Sequence, residues 1–166
     1  MKIIVLNGSP KGQTSVTVQY VHFLQVKFPD IEWNILDVAQ KIKKLEDDKA
    51  AFQQVIEEVS TSDAVLWAFP LYFFLVSSQY KRFIELIYER KSVFAFRGKH
   101  AAVFSTSINY FDHAAHHYMN AICDDLQMKF VDCYSAEMND LLKSTERKRL
   151  KLFGEAFILA LSLIHI

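Results

Sequence analysis

The chain opens with an apolar run that passes directly into a polar loop. Residues 3–6 are all aliphatic, and residues 7–15 are rich in Gly, Ser, Thr and amide side chains. Apolar residues then recur at helical spacing, at Val16, Tyr20, Leu24 and Phe28. This pattern predicts a buried strand, a polar turn and an amphipathic helix.

The same alternation of strand and helix patterns continues to the end of the chain. Residues 64–69 are wholly apolar, which is typical of a central parallel strand that is covered on both faces. Further strands are predicted at 32–38, 100–105 and 129–136, and helical spacing of apolar residues predicts a helix after each strand. Strands that alternate with helices indicate a doubly wound parallel sheet in a single α/β domain.

Composition narrows the class of protein without naming its activity. Lys+Arg and Asp+Glu balance at 19 each among 166 residues, so we expect no nucleic-acid partner. No apolar run reaches the length of a membrane span, and the chain begins with a strand rather than a signal peptide, so we expect a cytoplasmic protein. Cys123 and Cys133 match no metal or redox spacing and are expected to be buried thiols.

The first loop has the composition of an anion site. Ser9, Thr14, Ser15 and Thr17 bring hydroxyl groups to a turn that precedes a helix, where free backbone N–H groups attract a phosphate. The loop lacks the Gly-Lys-[Ser/Thr] of a Walker A motif and is not G-x-G-x-x-G. We therefore expect a terminal monophosphate here. The alternative is an ordinary turn in which one hydroxyl caps the helix.

Two segments resemble the NAD(P)H-dependent FMN reductase family. The first is Gly8-Ser9-Pro10-Lys11-Gly12, and the second is Phe69-Pro70-Leu71-Tyr72 followed by residues 79–85. The resemblance implies a flavodoxin-like fold, with a five-stranded parallel sheet in the order 2-1-3-4-5. It also implies FMN as cofactor and NADPH or NADH as co-substrate. The chain departs from the family at Phe73-Phe74-Leu75, where many members carry small residues.

The resemblance also assigns roles to particular residues. It implies that the phosphate is held by Ser9, Lys11, Gln13, Thr14 and Ser15. It implies that the isoalloxazine ring packs on Pro70, Leu71, Tyr72 and Phe73, and that its other side is closed by Thr106, Ser107, Ile108, Asn109 and Tyr110. No side chain is expected to act as a nucleophile, because the cofactor carries the redox chemistry. The expected partner is a small-molecule or protein electron acceptor, with a homodimer as a possible assembly.

The third loop, residues 106–112, supports the same location for the site. Ligands of open α/β sheets bind beyond the carboxyl ends of the strands, where this loop meets the two others. Its hydroxyl, amide and aromatic groups suit the edge and face of a flat ring. The alternative for Asp112 is a simple N-cap for the helix that follows.

Three histidines cluster at the start of the fourth predicted helix. His113 and His117 stand four residues apart and could share a face, as metal ligands sometimes do. No H-E-x-x-H arrangement is present, so no metal site is expected. His113, His116 and His117 are then either part of the rim of the cofactor site or a half-exposed helix start.

Two other functions are compatible with these patterns, and the carboxyl end is unusual. The chain could be a flavodoxin-type electron carrier, or the amino-terminal flavin domain of a larger redox protein. The last predicted helix runs into Leu163, Ile164 and Ile166 without a Gly or Asn cap. We therefore expect a flavin domain at 1–160 and a tail at 161–166 that is not native. The alternative is that these residues extend the helix and pack on the sheet.

Overall fold

The structure is a computed structural model that describes residues 1–108 and 111–162. Five strands alternate with helices along the chain. In chain order they are β1 (Lys2–Asn7), α1 (Val16–Lys27), β2 (Glu32–Leu36), α2 (Ile42–Asp47), α3 (Lys49–Ser60), β3 (Ala64–Pro70), α4 (Ser78–Glu89), β4 (His100–Ser107), α5 (His113–Asp125), β5 (Lys129–Glu137) and α6 (Ser144–Ser162). Single 3₁₀ turns occur at Gly12–Thr14, Val93–Ala95 and Asp140–Leu142.

The five strands form one parallel sheet in the order β2-β1-β3-β4-β5, as expected. The chain leaves β1 toward β2 on one side and returns to β3 on the other. The strand order therefore reverses between β1 and β3, and the carboxyl ends of these two strands flank a natural crevice. The predicted flavodoxin-like fold is confirmed.

The sheet separates two apolar cores, because side chains alternate between its faces. Ile4 and Leu6 pack with α2 to α5, whereas Ile3 and Val5 pack with α1 and α6. The predicted central strand is fully buried from Ala64 to Phe69. Burial of an apolar strand on both faces stabilises the sheet at about 25 cal/mol per Å² of apolar surface removed from water.

Several predicted boundaries differ from those of the structure. The second strand ends at Leu36 rather than at 38, because the chain turns there and the N–H of Val38 donates to the carbonyl of Leu36 (2.9 Å). The fourth strand continues to Ser107, since Thr106 and Ser107 keep their pairing with β5. The short helix α2 was not predicted, because six residues are too few to show a helical period.

The expectation of two buried thiols is half wrong. Cys123 is one of the buried residues of α5, and burial raises the pKa of its thiol to about 12. Cys133 is exposed, because it lies on β5, the edge strand, close to an irregularity in the pairing with β4.

Residues 161–166 are expected to be a tail that is not native, with extension of the last helix onto the sheet as the alternative. Leu161 is buried and packs in the same core as Leu150, Phe153 and Phe157. The N-terminal part of the segment thus extends α6 onto the sheet, whereas residues 163–166 lie outside the described residues. None of the helices in the described ranges is both long enough and apolar enough to cross a bilayer.

The core on the α1 and α6 face depends on Phe104. Its ring is fully buried and lies 5.5 Å from the ring of Tyr20 and 5.9 Å from that of Tyr134. We expect Phe104→Ala to lower the free energy of unfolding of the flavin-free protein by about 3–5 kcal/mol, measured with urea. The control is Phe94→Ala, which removes a mostly exposed ring and should change it by less than about 0.5 kcal/mol. Equal losses in the two variants would contradict this account of the core.

Candidate functional site

A cleft of about 210 Å³ lies at the carboxyl ends of β1, β3 and β4. It is formed by the loops that follow these strands, together with the start of α1 and the end of β5. Its lining consists of Ser9, Lys11, Ser15, Val16, Thr17, Pro70, Leu71, Tyr72, Thr106, Ser107, Ile108 and Met138. A larger groove of about 580 Å³ runs along β2, α2 and α3. We assign the site to the smaller cleft, because it occupies the point where the strand order reverses.

The first loop is fixed by close packing at Gly8. A Cβ atom at this position would lie 2.6 Å from Cδ1 of Tyr80 and 2.8 Å from Cβ of Phe69, so only glycine fits. The Tyr80 hydroxyl donates to the carbonyl of Leu6 (2.7 Å), and the Ser77 hydroxyl donates to the carbonyl of Gly8 (3.1 Å). The start of α4 thus sets the direction in which the loop leaves β1.

A polar network supports the same loop from the side of β2. The Asp37 carboxylate accepts hydrogen bonds from the side-chain amides of Asn7 (2.8 Å) and Gln13 (2.8 Å). The Asn7 oxygen in turn accepts from the backbone N–H of Ser9 (3.1 Å). Asn7 and Asp37 were not predicted as site residues. They lie at the ends of two different strands, so nothing in the sequence shows that their side chains meet.

The structure brings three of the five predicted phosphate residues into the cleft. Ser9, Lys11 and Ser15 line it, whereas the Gln13 amide is engaged by Asp37. The Thr14 hydroxyl donates to the carbonyl of Lys11 (2.9 Å) and faces away from the lining.

The amino end of α1 supplies donors at the cleft. The Ser15 hydroxyl accepts from the N–H of Val18 (3.3 Å), which makes Ser15 the N-cap of the helix. The capping role considered as an alternative is therefore real, and it coexists with a place in the cleft. The first turn of a helix carries N–H groups without intrahelical partners and a partial positive charge, and both attract anions.

The second loop forms one wall of the cleft. Pro70, Leu71 and Tyr72 line the cleft, whereas Phe73 is 96% exposed and lies outside the lining. The N–H of Leu71 donates to the carbonyl of Thr106 (2.9 Å), which joins this loop to the third one.

The third loop closes the opposite side of the cleft. Thr106, Ser107 and Ile108 line it, and Asn109 and Tyr110 lie outside the described residues. The Thr106 hydroxyl is 2.7 Å from that of Thr17, so β4 and α1 are linked inside the cleft.

Three lining residues, Val16, Thr17 and Met138, were missed as site residues in the sequence, and Val16 was noted only as an apolar position of the first helix. Thr17 was noted only as one of the hydroxyls of the first turn, and Met138 was not considered. The N–H of Met138 donates to the carbonyl of Ser107 (3.1 Å), which holds the end of β5 beside the third loop. Met138 could have been inferred from its position just after the fifth strand, at the same edge of the sheet as the three loops.

A buried polar cluster lies beneath the third loop. The Ser105 hydroxyl donates to the Asp112 carboxylate (2.8 Å) and lies 2.8 Å from Nε2 of His116, which therefore donates to it. Asp112 is the N-cap residue of α5, but its side chain makes no capping hydrogen bond and instead accepts from Ser105. Burial lowers the pKa of His116, and the nearby Asp112 carboxylate opposes that effect.

The other two histidines of this segment point elsewhere. His113 and His117 are exposed, and none of the three histidines lines the cleft. Within the described ranges, no three His, Cys, Asp or Glu side chains gather as metal ligands. The absence of a metal site remains a prediction.

The residues of the cleft fit FMN. One end offers the Ser9 and Ser15 hydroxyls, the Lys11 side chain and a helix amino terminus, which together suit a phosphate. The middle offers Leu71 and Tyr72, whose apolar surface and ring suit a flat heterocycle. Pockets for cofactors combine such apolar walls with a few oriented polar groups.

This combination of fold and cleft defines a flavodoxin-like α/β protein. The family model of the NADPH-dependent FMN reductases matches residues 1–140, and the chain belongs to this family. It is an FMN-dependent NAD(P)H oxidoreductase, with FMN as cofactor and a reduced nicotinamide as co-substrate. A reductase of this kind needs an electron acceptor.

Solved structures agree with the fold. The apo form of NADH:FMN oxidoreductase (EMOB) gives a TM-score of 0.80 at 16% identity, over 96% of this chain and 89% of that one. FerB, an NAD(P)H:(acceptor) oxidoreductase from Paracoccus denitrificans, gives 0.75 at 19% identity, over 97% of both chains. General stress protein 14 from Treponema denticola, in complex with FMN, gives 0.65 at 13% identity, over 98% of both. A comparison with curated proteins finds no match.

The buried cluster predicts a pH dependence of stability. Burial holds the pKa of His116 below its ordinary value of 6.5, so the unfolded chain takes up a proton before the folded one does. The free energy of unfolding should therefore fall as the pH drops below 6.5, by at most about 1.4 kcal/mol per pH unit for this one group. The loss should stop once the pH is below the pKa of His116 in the folded protein. In His116→Gln, whose amide can still donate to Ser105, this part of the loss should disappear.

The measurement is the free energy of unfolding of both proteins in urea at several pH values from 7.5 downward. His100, whose pKa is also lowered by burial, titrates in both proteins and cancels in the difference. Parallel pH profiles for the two proteins would contradict the prediction.

Proposed function

We propose that this chain binds FMN in the cleft at the carboxyl ends of β1, β3 and β4, and uses it to pass electrons from NADH or NADPH to an acceptor. The observation that carries the proposal is the placement of a hydroxyl-lined helix amino terminus and the Leu71–Tyr72 wall in one cleft. When bound, FMN supplies the hydride-accepting chemistry, which amino-acid side chains lack.

The chain's own groups would bind and orient the phosphate. Ser9 and Ser15 are 1% and 4% exposed, so a phosphate that reaches them leaves bulk water. Hydrogen bonds to an ionised acceptor are about twice as strong as neutral ones, which favours hydroxyl and N–H donors here. Lys11 is exposed at the loop tip and adds a mobile positive charge.

The second and third loops would position the ring. Leu71 and Tyr72 give one side of the cleft an apolar surface that excludes water. Thr106 is held by Thr17 and Ser107 by its backbone bond to Met138, so the opposite side keeps its shape without the ligand. The FMN complex of the Treponema denticola protein, which shares this fold, supports the choice of ligand.

The direct test is a flavin titration of the purified protein, followed by anaerobic addition of NADH or NADPH. We expect FMN to bind more tightly than FAD, because the cleft provides donors for one terminal phosphate. Bleaching of the flavin absorbance by either nicotinamide should follow. Preferential retention of FAD, or bleaching that proceeds at the rate of free FMN, would contradict the proposal.

A single charge at Ser15 should separate phosphate binding from folding. Asp and Asn both replace Ser as N-caps with little loss, so Ser15→Asp and Ser15→Asn should fold equally well. Only Ser15→Asp places a negative charge against the phosphate, which costs about 4 kcal/mol at an effective dielectric constant of about 20.

We therefore expect FMN to bind Ser15→Asp about a thousandfold more weakly, and Ser15→Asn within about tenfold of the wild type. Fluorescence quenching measures the affinities, and thermal unfolding of the flavin-free variants checks the fold. Similar affinities for the two variants would show that the phosphate lies elsewhere.

A further inference from the structure

Six apolar side chains of the second and third loops, some of whose other residues line the cleft, remain open to solvent. We call this set the apolar rim, and it consists of Tyr72, Phe73, Phe74, Leu75, Ile108 and Phe111. Phe73 is 96% exposed, Ile108 73% and Phe111 57%. Two members, Tyr72 and Ile108, also line the cleft itself, so the rim is continuous with the proposed flavin site. None of the six side chains carries a charge.

The backbone of the rim is strained at two successive residues. Phe73 and Phe74 have φ values of 43° and 70°, in the left-handed region that large side chains avoid. They are the central residues of a two-residue hairpin turn, in which both central φ values are positive as in type I′ turns. Asn-Gly is the usual sequence for such a turn. Strain of this kind persists where the surrounding structure fixes it, and it is common at functional sites.

The hairpin is held in place from both sides. Tyr72 and Leu75 exchange two backbone hydrogen bonds, of 2.8 and 3.0 Å. The ring of Phe74 meets that of Phe111 edge-on, with centroids 5.9 Å apart, and so bridges the second and third loops. Phe73 makes no comparable ring contact among the described residues and extends into solvent beside the cleft.

We propose that the Phe73–Phe74 hairpin, braced by Phe111, is the acceptor-selecting wall of this enzyme, and that it favours a flat, uncharged aromatic acceptor over an anionic one. This inference rests on the proposed function. A neutral naphthoquinone is an acceptor of this kind. In the overall reaction, NAD(P)H gives up a hydride and the solvent gives up a proton, and together they convert the quinone to its hydroquinone.

The chemistry of the rim gives the reason for this selectivity. A planar aromatic molecule gains offset or edge-on contacts with Phe73 and Tyr72 while its own apolar surface leaves water. An anionic acceptor would lose hydration against these side chains without a charged partner in the rim. The apolar rim therefore selects the electron acceptor, whereas the phosphate end of the cleft, with Lys11, would hold the cofactor.

A second copy of the chain is the competing occupant of the rim. A standard interface engages roughly 20–30 residues on each side, many more than these six side chains. The rim alone is therefore too small to hold a stable dimer.

The test replaces the two strained residues by the sequence that the turn prefers. Phe73→Asn combined with Phe74→Gly removes both rings and relieves the strain, so the flavin-free variant should melt at a higher temperature than the wild type. The control is Phe94→Asn, which removes another exposed ring at the amino-terminal side of β4, away from the cleft.

We expect the double variant to raise KM for menadione, a neutral naphthoquinone, by about tenfold or more, with kcat/KM for ferricyanide unchanged. Calorimetric binding of menadione to the oxidised FMN-loaded enzyme, without nicotinamide, should weaken by the same factor. FMN affinity should stay within about threefold of the wild type, and Phe94→Asn should alter none of these quantities.

Three outcomes would overturn the inference. They are equal changes for both acceptors, no change for menadione, and a wild-type dimer that dissociates in the double variant when mass is measured by light scattering. Failure of the proposed function is distinguishable, because in that case the wild type itself would neither bind FMN nor reduce ferricyanide with NAD(P)H.

Discussion

The contact between Gly8 and the ring of Tyr80 fixes the relation between the sheet and its first loop. With no room for a Cβ atom, the backbone of β1 runs directly against the first turn of α4. The Tyr80 hydroxyl and the Ser77 hydroxyl then donate to the carbonyls of Leu6 and Gly8, which ties α4 to the end of β1. The loops after β1 and β3 are consequently held together, and the cleft between them exists before any ligand arrives.

The polar groups around the cleft form two sets. One set is bonded within the protein and supports the loops, and the other can bind a ligand. Asn7, Asp37 and Gln13 bond to one another, and Ser105, Asp112 and His116 form a second closed cluster under the third loop. Their hydrogen bonds are used within the protein, so they stabilise the loops. The helix amino terminus and the hydroxyls of Ser9 and Ser15, which accept from the backbone N–H groups of Lys11 and Val18, can still donate to a ligand. This division leaves the proposed phosphate site with one exposed lysine, Lys11, in its lining.

The sequence predicted the fold well, because a parallel sheet leaves strong local signals. The apolar run at 64–69 and the helical spacing around Tyr80 identify elements without knowledge of their partners. The site was predicted in part. Its three loops follow from the topology, but the direction of each side chain within a loop does not. Gln13 turns toward Asp37, which is distant in sequence, and the capping role of Ser15 became visible only with the Val18 contact.

The apolar rim shows where local preference and tertiary structure disagree. Local rules place Asn or Gly at positive φ, yet Phe73 and Phe74 occupy these positions beside the cleft. Such a conflict can be recognised only after the backbone is known, because the sequence Phe-Phe by itself favours a strand.

The central claim is that the loop at residues 9–15 holds the phosphate of FMN. The most direct measurement compares the affinities of the wild-type protein for FMN and for riboflavin, which lacks the phosphate. The account predicts that FMN binds at least about a hundredfold more tightly, since several charge-assisted hydrogen bonds are lost with riboflavin. Equal affinities for the two flavins would contradict it.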